Sequence, residues 1–101
     1  MFKLIFTEDF NNDLHDIFIY ISENLSNLSS AKKLMRKIRD SIKYLKSFPF
    51  SCPICENQNG QNERRKLTVG NYIILYEVNE QTKTVILLNC VYARTDYINI
   101  I

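Results

Sequence analysis

The residues best suited to chemistry are a basic triplet in the second half of the chain and an arginine and a tyrosine after it. Arg64, Arg65 and Lys66 are consecutive, and Arg94 and Tyr97 follow near the end of the sequence. Guanidinium and ammonium groups bind phosphate oxygens. If the strands carrying these residues adjoin, we expect them to cluster at one sheet edge, as a phosphate-binding site without an obvious base. The alternatives are a solvated strand face for the triplet and packing of the chain end for Tyr97.

The single histidine and the three cysteines do not indicate a metal site or a cofactor site. His15 lies in an acidic stretch, where we expect an ordinary surface or half-buried side chain. Cys52-Pro-Ile-Cys55 resembles half of a zinc knuckle, but a structural zinc site needs four ligands and Cys90 has the wrong spacing. We expect free thiols, with a reversible loop disulfide or a shared dimer site as the alternatives.

Charge is distributed unevenly along the first half of the chain. Residues 7–31 carry five acids and no Lys or Arg, whereas residues 32–46 carry seven bases and one acid. This pattern predicts two helices that pair by charge, with a basic surface facing outward. Arg36 and Lys43 are candidates for binding a nucleic acid, a target or an acidic partner; a solvated helix face is the equal alternative. Aromatic residues are not interleaved with these bases, which disfavours direct single-strand binding.

The elements that position these residues follow from the hydrophobic periodicity. Residues 2–6 read as a strand, and Thr7 caps a helix that an apolar stripe from Phe10 to Leu25 continues. Residues 26–30 break this pattern and supply a second cap. A second stripe runs from Leu34 to Leu45 and closes at Phe48-Pro49, which predicts a helical hairpin over residues 8–48.

The second half of the chain changes to the periodicity of strands. After a polar loop at residues 49–62, β-branched and aromatic runs cover residues 64–69, 72–78 and 83–92. Gly70-Asn71 is a two-residue hairpin signal. We therefore predict one α+β domain over residues 1–101, with an N-terminal strand and the helical hairpin on one face of a largely antiparallel sheet.

The sequence resembles the RelE/ParE superfamily of toxins over nearly its whole length. The first half shows Asp13-Leu14-x-x-Ile17-x-x-Tyr20-Ile21. The second half shows Arg65-Lys66-Leu67-x-Val69-Gly70-Asn71-Tyr72-Ile73-Ile74-Leu75-Tyr76-Glu77-Val78 and Ala93-Arg94-Thr95-Asp96-Tyr97. The resemblance implies a toxin that a cognate antitoxin protein wraps and neutralises. Its target would be either DNA gyrase, as in ParE-like members, or mRNA on the ribosome, as in RelE-like ribonucleases.

Departures from the family pattern favour the ParE-like branch. Ile73 occupies the position where the family usually has an arginine that contributes to phosphate contact in the ribonucleases, and the C-terminal histidine of some ribonucleases has no counterpart. We expect a gyrase-binding toxin. A ribosome-dependent mRNA endonuclease using Arg65, Arg94 and Tyr97 is the alternative, with Arg64, Lys66, Arg36 and Lys43 binding the target. A member that binds an antitoxin but no longer harms the cell is the third reading.

The remaining expectations concern location and ligands. No stretch resembles a secretory signal or a membrane span, so we expect a cytoplasmic protein without a membrane partner. We also expect no small-molecule substrate, no cofactor and no metal.

Overall fold

A computed structural model of the protein describes residues 1–55 and 63–94. Its elements are, in order, β1 (Lys3–Phe6), α1 (Glu8–Ile19), α2 (Leu28–Tyr44), β2 (Arg65–Val69), β3 (Tyr72–Asn79) and β4 (Thr84–Tyr92). A short π-helical segment, Tyr20–Asn24, extends α1 toward the hairpin turn. The predicted order of elements is confirmed.

Polar side chains begin both helices where the sequence predicts caps. The Thr7 hydroxyl accepts a hydrogen bond from the Phe10 N–H at 3.1 Å, and Asn27 accepts one from the Ser30 N–H at 3.0 Å. These bonds satisfy donors that the first turn of a helix cannot pair internally. Thr7 also donates its hydroxyl to the Leu87 carbonyl at 2.9 Å, so the start of α1 is tied to β4.

The sheet has four strands in the order β1-β4-β3-β2. β1 is parallel to β4, and the other two pairings are antiparallel, which makes the sheet mixed but largely antiparallel. The β2–β3 connection is the tight turn predicted at Gly70-Asn71, where Gly70 has φ of +59°. A register shift at Leu75/Tyr76 interrupts the β3–β4 pairing.

The helical hairpin covers one face of the sheet and forms the main core there. Phe10 of α1 and Ile38 and Ile42 of α2 pack with strand residues that include Ile74 and Tyr76. Since an alternating strand sends its odd and even side chains to opposite faces, β3 is apolar on both of its faces. The prediction that the helical hairpin lies on one face of the sheet is confirmed.

The opposite face of the sheet has a smaller apolar cluster formed by Cys55, Ile73 and Leu75. Cys55 reaches it because the segment before it pairs with the edge of β2. The Cys55 N–H donates to the Arg64 carbonyl at 2.7 Å, and the Lys66 N–H donates to the Pro53 carbonyl at 3.1 Å. Part of the predicted polar loop at 49–62 is thus strand-like, and residues 56–62 lie outside the described residues.

The predicted charge pairing between the two helices is wrong. In the described part of the chain, Arg64 and Glu77 form an ion pair within 4.0 Å. No ion pair among these residues joins an acid of α1 to a base of α2. The helices instead meet through apolar side chains, and their charged residues other than Asp13 are exposed to solvent. Within residues 1–55 and 63–94, neither helix combines the length and apolar character needed to cross a membrane.

Hydrogen bonds of two side chains, Asp13 and Tyr76, hold α1 and the end of α2 in place. The Asp13 carboxylate accepts the Cys90 N–H at 2.9 Å and the Asn89 side-chain amide at 3.2 Å, which joins α1 to the centre of the sheet. The fully buried Tyr76 hydroxyl donates to the Pro49 carbonyl at 2.9 Å, which fixes the chain leaving α2.

We expect Tyr76→Phe to lower the free energy of unfolding by about 1–3 kcal/mol, because the Pro49 carbonyl would stay buried without a donor. The matched control is Tyr92→Phe, because the Tyr92 side chain is 41% exposed. Loss of its hydroxyl group should lower the free energy of unfolding by less than about 0.5 kcal/mol. Urea denaturation of the two variants measures the difference. Equal effects would show that the buried bond does not stabilise the fold.

Stability should also fall at high pH. Burial, followed by the charge of Asp13, raises the pKa of the Cys90 thiol from 9.0 to about 12. The folded state therefore favours the neutral thiol, a contribution fully present below pH 9.0 and lost as the pH rises toward 12. Between pH 9.0 and about 12, the free energy of unfolding should fall less steeply with pH in Cys90→Ala than in the parent protein. The difference in slope should be up to about 1.4 kcal/mol per pH unit. An unchanged slope would contradict this assignment.

Candidate functional site

The basic triplet holds the edge of the sheet together. The Arg64 Nε lies 3.1 Å from the Glu77 carboxylate. Arg65 donates from Nη1 to the Cys52 carbonyl at 2.7 Å, and its guanidinium lies 5.1 Å from the centre of the Phe50 ring. All three side chains of the triplet are half-buried. Arg65 is thus already engaged by the segment that follows α2.

Arg94 lies at the other end of the sheet, so the predicted cluster of Arg65 and Arg94 is wrong. β3 separates β2 from β4, and the register places Arg65 opposite Tyr76 and Tyr76 opposite Leu87. The stretch of β4 from Leu87 to Tyr92 is about 17 Å long, and Arg94 lies beyond it. The alternating direction of the strands is the cause, because it puts the start of β2 and the end of β4 at opposite ends.

Tyr97 lies outside the described residues, and His15 is exposed on α1. No disulfide joins Cys52, Cys55 and Cys90, all three of which lie in the described part of the chain, and burial raises the pKa of the Cys55 thiol. Among residues 1–55 and 63–94, no group of three or more His, Cys, Asp or Glu residues is placed to hold a metal ion.

The sheet face opposite the helices is apolar at Ile73. This is the position at which the resemblance implies a phosphate-binding arginine in RelE-like ribonucleases. Ile73 is 8% exposed and packs with Cys55 and Leu75, with Leu88 and Val91 beside them. An anion placed on this surface would lose hydration without gaining a donor from it. The position of that arginine is therefore filled by a buried apolar side chain.

A first groove lies between β1, α1 and α2; we call it the β1 groove. It has a volume of about 500 Å³. Its wall is apolar, with Leu4, Phe6 and Leu14 among the lining residues, and Arg39, Lys43 and Lys46 of the α2 end border it. The groove is thus an apolar surface with a basic rim.

Within residues 1–55 and 63–94, no strand pairs with the outer edge of β1 beside this groove. Just before the strand begins, the Phe2 N–H donates to the Lys46 carbonyl at 3.0 Å. Lys3 and Thr7 donate their N–H groups to the Lys83 and Leu87 carbonyls of the β4 side, at 2.8 and 3.2 Å. Because backbone groups alternate in direction along a strand, Leu4 and Phe6 present theirs to the outside. An open edge of this kind can pair with an added strand.

A second groove lies at the hairpin tip, and we call it the tyrosine groove. It has a volume of about 870 Å³ and is bordered by Tyr20, Tyr72 and Tyr92, with Asp16 as its charged residue. The Tyr72 and Tyr92 rings meet edge to face with centres 5.6 Å apart, and burial raises the pKa of the Tyr72 hydroxyl. Arg94 follows Tyr92 closely. Sequence reasoning missed this groove because its tyrosines come from three separate elements.

The outward face of α2 is strongly basic, as predicted. Arg36 and Lys43 are exposed. No carboxylate in the described part of the chain lies within ion-pair distance of them. The predicted outward basic surface is therefore present, without the pairing to α1.

The comparisons with known proteins agree on this fold. The model of the ParE toxin family of type II toxin–antitoxin systems matches residues 4–97. The chromosomal ParDE system from P. aeruginosa contains a chain with a TM-score of 0.75 at 19% identity, covering 93% of this chain and 98% of that one.

Structures of RelE-type complexes are similar at lower TM-scores. The RelBE2 complex from Mycobacterium tuberculosis gives 0.57 at 16% identity, covering 90% of this chain and 96% of that one. The RelBE complex from E. coli gives 0.56 at 14% identity, covering 94% and 100%. No curated protein matches the sequence. Because the family model spans nearly the whole chain, this protein belongs to the ParE toxin family of type II toxin–antitoxin systems.

Proposed function

We propose that the protein inhibits growth in the cytoplasm by binding DNA gyrase, and that a cognate antitoxin neutralises it by covering the β1 groove. The apolar sheet face around Ile73 carries the first part of this proposal. The resemblance implies that RelE-like ribonucleases have an arginine at position 73, which contributes to phosphate contact. Here Ile73 packs against Cys55 and Leu75 instead.

The distribution of the arginines supports the same proposal. Cleavage of RNA through its 2′-hydroxyl needs a base, a cation for the phosphate charge and an acid within reach of one substrate. Arg65 is bound to the Cys52 carbonyl, and Arg94 lies more than about 17 Å away along the strands. Two separated cations suit contacts with a large partner better than they suit one reacting phosphate.

The purified protein is expected to block supercoiling of relaxed plasmid by gyrase and to leave mRNA on translating ribosomes uncut. Both reactions are run with the same preparation, and the protein preincubated with antitoxin is the control. Discrete cuts at ribosome-occupied codons, with supercoiling unaffected, would overturn the proposal.

The alternative function is a ribosome-dependent mRNA endonuclease, and one observation favours it. Arg94 matches the family position and is exposed at the end of β4. Under this alternative, Arg94→Ala abolishes the cuts by removing a cation from the transition state, whereas Arg64→Ala retains measurable cutting. Thermal unfolding of both variants checks that they fold.

The β1 groove is the proposed antitoxin site. Its apolar wall suits aliphatic side chains, its basic rim suits carboxylates, and the free edge of β1 offers Leu4 and Phe6 backbone groups to an added strand. An antitoxin segment that alternates apolar and acidic residues satisfies all three features. Its side chains would lie on alternate faces of the added strand.

Reversing the rim charge tests this site. Lys43→Glu combined with Arg39→Glu should weaken antitoxin binding at least about tenfold, because like charges would face each other. The matched control is Lys32→Glu combined with Lys33→Glu, which changes charge on the same helix away from the groove and should change affinity less than about threefold. Calorimetry with the cognate antitoxin measures both. Equal losses would place the antitoxin elsewhere.

A further inference from the structure

We propose that the outward face of α2 binds single-stranded nucleic acid, with its bases stacking on the aromatic pair Tyr44 and Phe48. This inference does not depend on the gyrase proposal. It reverses the expectation from the sequence that single-strand binding is disfavoured, because the structure stacks Tyr44 on Phe48 beside the cations. It rests on a row of solvent-exposed cations, on the geometry of one ring pair, and on their common location at one side of the helix.

The cations are exposed and share one side of the helix. At 3.6 residues per turn, Lys33, Arg36, Lys37 and Lys43 project within a sector of about 120°. All four are exposed, and none has an ion-pair partner in the described part of the chain. Asp40 is the one acid of this sector. A row of unpaired cations along about 15 Å of helix suits a phosphate backbone.

Aromatic surface lies at the end of this row. Tyr44 falls in the same sector, is 56% exposed, and stacks on Phe48, which is 53% exposed. The ring centres are 4.7 Å apart and the ring planes differ by 27°. Two large rings held parallel in solvent leave an outer ring face open. A nucleobase can extend such a stack whatever its identity.

The combination selects single strands over the other polyanions. A duplex keeps its bases stacked inside and would use the cations alone. An acidic peptide would gain from the same charges, but it needs apolar contact, and the apolar β1 groove lies on another side of α2. Lys33, Arg36 and Lys37 do not border that groove, whereas Lys43, at the end of the row, borders it. The ring pair therefore decides in favour of unpaired bases.

The test is fluorescence anisotropy with labelled twelve-nucleotide oligouridine, oligothymidine and a duplex of the same length, over a range of salt concentrations. We expect both single strands to bind at least about tenfold more tightly than the duplex, with an affinity that falls as salt rises. A difference between the RNA and DNA strands would show whether a 2′-hydroxyl is recognised.

Two pairs of variants separate stacking from charge. Tyr44→Leu with Phe48→Leu removes the rings but keeps apolar bulk, and should weaken single-strand binding about tenfold or more without changing the salt slope. Arg36→Gln with Lys37→Gln should reduce the slope by about 0.7 for each lost phosphate contact. The controls are Tyr20→Leu, an exposed ring at the hairpin tip, and Lys3→Gln on β1; both should bind as the parent does.

Four results would overturn the proposal. Undetectable binding of oligouridine and oligothymidine at low salt would remove the site. Equal affinity for duplex and single strand, or unchanged binding after loss of both rings, would leave only non-specific charge attraction. Displacement of the strand by polyglutamate of the same charge at the same concentration would point to an acidic protein instead. Circular dichroism of each variant confirms that the helix is intact.

Discussion

The arrangement of this molecule depends on β4, which lies inside the sheet and receives the polar contacts that position α1. It pairs in parallel with β1 and antiparallel with β3. Thr7 bonds its Leu87 carbonyl at one end of α1, and Asp13 accepts its Cys90 N–H one and a half turns later. These two bonds fix both the height and the rotation of α1. Phe10, which lies between them in the chain, is consequently fully buried.

The exposed surfaces follow from this fixed position. Since α1 is held on the middle of the sheet, the helical hairpin leaves a groove on each side of the contact. The first has an apolar wall, a basic rim and the open edge of β1, and the second is bordered by three tyrosines at the hairpin tip. Arg65, a candidate for a reacting centre, instead donates to the Cys52 carbonyl and has a structural role. We therefore propose that the protein acts through its binding surfaces.

Local sequence signals predicted the local structure well. The Thr7 cap, the two apolar stripes and the Gly70-Asn71 turn depend on residues close together in the chain. The local structure that they form can therefore be predicted from the sequence. The relation between distant segments could not be read in this way. Arg65 and Arg94 both occur near strand ends, but only the strand order shows that those ends are opposite. The Ile54–Arg65 bridge also depends on the edge of β2, which no local pattern specifies.

Amide hydrogen exchange of the protein alone and in complex with its antitoxin tests the central claim most directly. In the free protein, the Leu4 and Phe6 amides should exchange fast and the Lys3 and Thr7 amides slowly, because only the latter pair with the β4 side. We predict that the antitoxin slows Leu4 and Phe6 together with the residues that border the β1 groove. Protection confined to the sheet face around Ile73, with Leu4 and Phe6 unchanged, would contradict the account.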